Sequence, residues 1–341
     1  MDRTEAWQDS TMEISIGVVP GPDAVRRAQL AEDLGFARVW LYDSAAIYED
    51  IWMNLTAIVA NTSIDVGTAV LVPNLRHVMT TATAIATLER MAPGRLTAAF
   101  GTGLTARWVL GKSALSWATL RTYVEQLHGL LQGGTVTIAG SRAQMIHLPH
   151  LATPRPISTP LLVSALGPKG LAITAEMAEA GVIDGLIDTE GADGPFRRRV
   201  QMVSGTVLDR GEDGSSARVR DAVGPWFVVG HHYVWQQYPE VLPAMPAGEQ
   251  WLAGIEADRP EGERHLIVHE GHVTDVSARD RVILEAADDD AILAAGWVGD
   301  SDAIAQRAAA AAARGVTELL YTPAGSDVER EMRAFAAATI D

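Results

Sequence analysis

Short apolar runs alternate with amphipathic helical patterns along almost the whole chain, the signature of βα units feeding a parallel sheet. Glu13 to Val19 reads as a strand. Asp23 to Leu34 reads as a helix with apolar residues at Val25, Ala28, Leu30, Ala31 and Leu34, ended by Gly35. Strand Ala37 to Tyr42 precedes a helix from Ile51 to Asn61, for which Asp50 is the N-cap. Strand Ile64 to Leu71 leads to helix Thr80 to Met91, and Pro93-Gly94 turns the chain into strand Arg95 to Phe100. A helix through Leu115 to Leu131 completes the fourth unit.

The pattern then breaks over residues 133–158, rich in Gly, Pro, His and Thr, which read as an insertion carrying at most a short hairpin. It resumes with strand Pro160 to Ala165, helix Pro168 to Ala180, strand Val182 to Asp188, helix Pro195 to Arg210 and strand Ala217 to Val229. Residues 230–295 read as a second, irregular insertion. Helix Asp302 to Arg314, strand Glu318 to Thr322 and a terminal helix from Val328 to Ala338 follow. Eight βα units without a polar linker predict one closed (β/α)8 barrel over residues 13–341, preceded by a loose tail at 1–12, with insertions after strands 4 and 7. A doubly wound sheet is the alternative, but Val18-Val19-Pro20-Gly21-Pro22 does not supply the GxGxxG that fold needs after its first strand.

Composition narrows the partners. The 341 residues are 48% hydrophobic, enough for a large core. The formal charge of -16 opposes a phosphate polymer, so no nucleic-acid partner is expected. No stretch has the roughly 18 consecutive apolar residues of a membrane span. With neither an apolar targeting core near Met1 nor any cysteine, a cytoplasmic protein without disulfides is expected.

In a barrel of this kind the chemistry gathers at the C-terminal ends of the strands. These ends are Val19-Pro20, Asp43-Ser44, Thr68-Ala69-Val70, Gly101-Thr102-Gly103, Ala165-Leu166-Gly167, Asp188-Thr189-Glu190, Val229-Gly230-His231 and Tyr321-Thr322. Gly101, Thr102 and Gly103 let backbone N–H groups and a hydroxyl approach an anionic ligand. Gly167-Pro168-Lys169 opens a helix whose first N–H groups attract phosphate, with Lys169 adding charge. Asp43 can accept hydrogen bonds or cap the segment after it. His77 is a proton-handling or capping residue, and His231 and His232 follow the expected seventh strand directly. His265, His269 and His272 form a run that is not HExxH, and no metal is expected there. Trp108, Trp117, Trp226 and Trp235 either line an apolar pocket or pack in the core.

Val39-Trp40-Leu41-Tyr42-Asp43, Asp50-Ile51-Trp52, Gly67-Thr68-Ala69-Val70, Arg95 to Gly103 and Ser164-Ala165-Leu166-Gly167-Pro168-Lys169 stand in order at barrel spacing. Together with Gly315-Val316-Thr317-Glu318-Leu319 they resemble the bacterial luciferase-like monooxygenase superfamily, and within it the branch that uses the deazaflavin coenzyme F-420. The resemblance implies a non-prolyl cis peptide between Ala69 and Val70 behind the cofactor ring. It also implies cofactor contacts from Asp43, Thr68, Ala69, Val70, Gly101, Thr102, Gly103, Ala165, Leu166, Gly167 and Lys169, and catalytic candidates Asp43, Ser44 and His77.

It further implies hydride transfer between F-420 and a small organic substrate, and a homodimer. Two alternatives accompany it: a monooxygenase using reduced FMN, and a cofactor-binding protein without catalysis. Two departures argue against deazaflavin sugar-phosphate dehydrogenase activity. Ser44 stands where those relatives have His, and Leu104 where they have Glu after the TG pair.

Overall fold

The computed structural model describes residues 12–340. Its centre is a closed barrel of eight parallel strands: β1 Glu13–Val18, β2 Arg38–Leu41, β3 Asp65–Leu71, β4 Leu96–Phe100, β5 Leu161–Ser164, β6 Gly185–Asp188, β7 Arg198–Val203 and β8 Glu318–Tyr321. Each strand pairs with its neighbour in sequence, and β8 closes on β1 with Glu13 opposite Glu318 and Ile16 opposite Tyr321. The expected tail at 1–12 lies outside the described residues except for Met12. Among the described residues, no helix is long and apolar enough to cross a membrane.

Alternation along the strands sorts the core into two layers. Residues such as Val39, Leu41, Val66, Ala98 and Phe100 face outward against the helices. Trp40, Ala99, Leu162, Ile187, Val200 and Leu320 fill the barrel interior. Trp40 is the largest of these. Its Nε1 donates to Glu318 Oε1 at 2.7 Å and Ser15 Oγ at 3.1 Å, satisfying the one polar atom of a fully buried ring. A Cβ on Gly67 would lie 2.3 Å from Trp40 Cε3, so the glycine makes room for the indole.

Three expectations need correction. Pro195 to Arg210 is not a helix: Arg198–Val203 is the seventh barrel strand, and Gly205–Val207 then pairs with Trp297–Gly299 outside the barrel. Ala217 to Val229 is not a strand but belongs to a 21-residue helix, Ala217–Gln237. The β-branched run Val228-Val229 and the helix breakers Gly224, Pro225 and Gly230 mimic a strand, yet burial on several sides overrides propensity. The helix is capped by Ser216, whose Oγ accepts from Val219 N–H. Residues 230–295 are likewise largely helical, with short helices such as Gly248–Asp258 and Arg281–Ala286 around their own core of Val228, Leu242, Trp251, Ile255, Val268 and Ile283. The first insertion does carry the short hairpin, Val136–Ile138 with Ser141–Ala143.

Candidate active site

The second insertion and the helix Ala217–Gln237 that leads into it are tied over the barrel mouth by groups that follow three strands. After β2, Tyr48 donates to the His272 carbonyl at 2.8 Å. After β4, Thr105 Oγ1 meets His272 Nε2 at 3.0 Å, and Trp108 stacks on His269. After β8, the Thr322 carbonyl accepts from Trp226 Nε1 at 3.1 Å. A cavity of about 670 Å³ remains beside this cap, bordered by Ile47, Val109, Ile267, His269 and Arg279.

The end of β3 is irregular. Thr68 pairs with Ala98 and Leu71 with Phe100, so β3 spends one residue more than β4 over that interval, and the peptide joining Ala69 to Val70 is cis. Thr68 repairs the ladder across the bulge: its hydroxyl donates to the Ala99 carbonyl at 3.1 Å and accepts from the Ala99 N–H at 2.8 Å. Both capacities are committed and the residue is fully buried. Thr68 thus braces the strand end, while Ala69 and Val70 are half-buried against the interior cluster.

Gly101 makes room for the bulge. A Cβ there would lie 2.6 Å from Val70 Cγ2 and 4.0 Å from Ser164 Cβ, so its missing side chain seats Val70. Gly103 adopts φ 77 and starts the single-turn helix Leu104–Trp108, with Thr102 half-buried beside it. Beyond β5, Ala165 is buried and Leu166 exposed. Gly167 caps the helix Pro168–Glu179 in extended conformation, and a Cβ on it would meet nothing within 4 Å. Lys169 is exposed in that first turn. An unobstructed helix start with proline at N1 suits an anion.

Asp43 is buried at the end of β2, its Oδ2 2.7 Å from Arg76 Nη1. Burial pushes its carboxyl above the usual range, and the Arg76 guanidinium opposes that shift. Arg76 reaches on to Asp50 Oδ2 at 2.8 Å, and Asp50 Oδ1 caps the helix Ile51–Asn61 through the N–H groups of Trp52 and Met53. Arg76 thus bridges two carboxylates. Ser44 is buried next to Asp43, and its carbonyl accepts from Ile47 and Tyr48 in the turn after β2. His77 takes its capping role: its Nδ1 accepts from Met79 N–H at 3.2 Å at the start of the helix Val78–Met91, and the residue is exposed.

Sequence reading missed Arg76 and Tyr42. The Tyr42 hydroxyl lies 2.1 Å from where a Cβ on Gly17 would stand, with Thr322 Cγ2 beside that point, so the phenol crosses β1 towards β8 at the mouth. Burial raises its pKa and keeps it protonated. The available signal was a strand-terminal tyrosine paired with a glycine in the adjacent apolar strand. His231 and His232 do not follow a barrel strand; both are buried within the helix Ala217–Gln237. Of the tryptophans, Trp108 and Trp226 border the mouth, Trp117 packs against Gly170 in the outer layer, and Trp235 packs in the insertion's core.

The chain and its fold are similar to those of known proteins. A 5,10-methylenetetrahydromethanopterin reductase from Methanolobus tindarius is 27% identical over 210 residues, 59% of this chain and 61% of that enzyme. The coenzyme F420-dependent tetrahydromethanopterin reductase of Methanopyrus kandleri superposes with a TM-score of 0.68 at 18% identity, covering 97% of this chain and 99% of the other. The FMN-bound oxygenating constituent of 3,6-diketocamphane monooxygenase from Pseudomonas putida gives 0.59 at 14% identity, covering 97% and 98%. The sequence pattern of the luciferase-like monooxygenases matches residues 6–318, and the chain belongs to that family.

Proposed function

We propose that the protein is an oxidoreductase that uses the deazaflavin F-420 to exchange a hydride with a small organic substrate. The observation that carries this reading is the β3 bulge, which turns Ala69 and Val70 towards the mouth with Gly101 cleared behind Val70. These residues fit a flat ring: Ala69 and Val70 offer an apolar backing, and the open start of the helix Pro168–Glu179 suits a phosphate. Ala69 and Val70 would hold the ring, while Gly167, Lys169 and Thr102 would hold the phosphate side. When bound, the cofactor supplies the carbon that gives or takes the hydride.

The chain's own residues orient and protect that exchange. Tyr42, held protonated, presents a hydroxyl donor at the mouth. Asp43 and Arg76 form a fixed charge pair beside it, and the cap tied through Tyr48, Thr105 and Trp226 excludes water. The relatives include both an F420-dependent and an FMN-bound enzyme, so reduced FMN with oxygen is the second reading.

Titration of purified protein with each cofactor separates the two. F-420 binding with substrate-dependent absorbance change is expected; tight FMN binding with oxygen consumption would overturn the first reading. Tyr42→Phe is expected to lower kcat about 100-fold, within the range for general acid–base catalysis, with cofactor affinity retained. The homodimer rests on family resemblance, and the apolar groove of Trp52, Met53, Met79 and Leu88 is the face we assign to it. Sedimentation velocity of the wild type and Met53→Glu tests that assignment.

A further inference from the structure

Inside the cap, His232, His269 and His272 each present a ring nitrogen, all within 4.8 Å of one another. They come from the helix Ala217–Gln237 and from the short helix His265–Val268 with the turn that follows it. The ring centroids form a near-equilateral triangle with sides of 5.5, 5.6 and 6.0 Å. Three imidazoles bound to one ion through metal–nitrogen bonds of about 2.0–2.1 Å at tetrahedral angles place their centroids roughly 5 Å apart. A small inward movement of the rings closes that gap.

Hydrogen bonding divides the ring nitrogens into partnered and unpartnered ones. His232 Nε2 pairs with Asp280 Oδ1 at 3.3 Å, and Asp280 is itself held by Trp251 Nε1 at 2.8 Å and Ser277 Oγ at 2.7 Å. His272 Nε2 is held by Thr105. The opposite nitrogens, Nδ1 of His232 and of His272, are buried without a partner, as are both nitrogens of His269. His232 is 1% exposed and His269 3%. Each orphaned buried nitrogen carries a desolvation cost, and one cation at the centre of the triangle would satisfy three of the four.

We propose that His232, His269 and His272 bind one divalent transition-metal ion of the zinc class, with Asp280 orienting His232 from behind. Three imidazoles and no carboxylate in the inner set select zinc, cobalt, nickel or copper over magnesium or calcium. A carboxylate behind a ligating histidine is the usual outer partner in such sites. The ion joins the helix carrying His232 to the turn carrying His269 and His272. Through Thr105 it also steadies the cap against the loop after β4. His265, which the sequence groups with the other two, is not part of the set.

The test uses full-length protein without a polyhistidine tag, stripped with chelator, gel-filtered, and titrated with Co²⁺. The expected result is about one ion bound per chain, with the visible bands of four-coordinate cobalt and a higher melting temperature. His265→Ala should bind equally, the double variant H269A/H272A should lose the bands, and Asp280→Asn should weaken affinity about 10–100-fold. Wild-type protein that takes up no stoichiometric Co²⁺ overturns the proposal, whether or not the double variant folds. Equal binding by a folded double variant overturns it as well. None of these readouts depends on cofactor or turnover.

Discussion

Thr68 shows how one hydroxyl sets the shape of a strand end. Its two hydrogen bonds to Ala99 replace the ladder contacts that β3 gives up at the bulge. Thr68→Val keeps the shape but leaves a buried N–H and C=O of Ala99 unpaired. It is expected to cost about 2–3 kcal/mol in urea denaturation, and to weaken cofactor binding by loosening Ala69 and Val70. Gly67→Ala drives a methyl against the Trp40 ring and should destabilise by roughly 1–3 kcal/mol. Gly21→Ala, whose Cβ would meet nothing within 4 Å, is the matched control and should leave the midpoint unchanged.

At the scale of elements, legibility followed where stability comes from. The first four units declare themselves through caps and periodicity: Asp50 caps its helix as expected, and the strands to Phe100 fall where the apolar runs do. The cis junction of Ala69 and Val70 came from family resemblance, since nothing in the residue types requires it. The exchange of helix and strand between 195 and 237 was hidden because Arg198–Val203 takes its strand character from neighbours on both sides, whereas Ala217–Gln237 is helical through burial despite Pro225. Arg76 was hidden because its partner Asp43 lies 33 residues away, and the nearness of His232 to His269 and His272 was hidden because the helix that carries His232 was read as a strand.

The loop leading into the helix Ala217–Gln237 gives a pH test. Hydrogen bonding to Arg218, aided by Ser216 and the Asp209 N–H, lowers the Glu212 pKa from 4.5 to about 2. A carboxylate depressed in the folded state binds fewer protons there than in the unfolded chain. Its stabilisation is therefore full above about 4.5 and fades as pH falls towards 2. Glu212→Gln should melt lower than wild type at pH 6, and the two melting temperatures should converge between pH 4.5 and 2.

For the whole molecule, barrel and cap are separable in energy but joined in function. The cap has its own apolar core and meets the mouth largely through hydrogen bonds and ring stacking. The double variant Y48F/T105V should therefore leave the barrel's melting transition within about 1–3 kcal/mol of wild type, as expected for two net hydrogen bonds. It should raise KM for substrate more than it changes cofactor affinity, measured by fluorescence titration alongside steady-state kinetics.

Closure of β1 on β8 joins Glu13 to Glu318, and this has a consequence for how the protein is made. At about 5–20 residues per second, the ribosome takes roughly 15–60 s to supply the partner of the first strand. For that time the edge of Glu13–Val18 that faces β8, on a strand whose residues after Glu13 are all buried in the finished barrel, has no native neighbour. Chains ending at residue 317 should accordingly appear as aggregates rather than monomers in size-exclusion chromatography. Yield of the intact protein should rise when synthesis is slowed or a chaperone covers that first strand until the last one emerges.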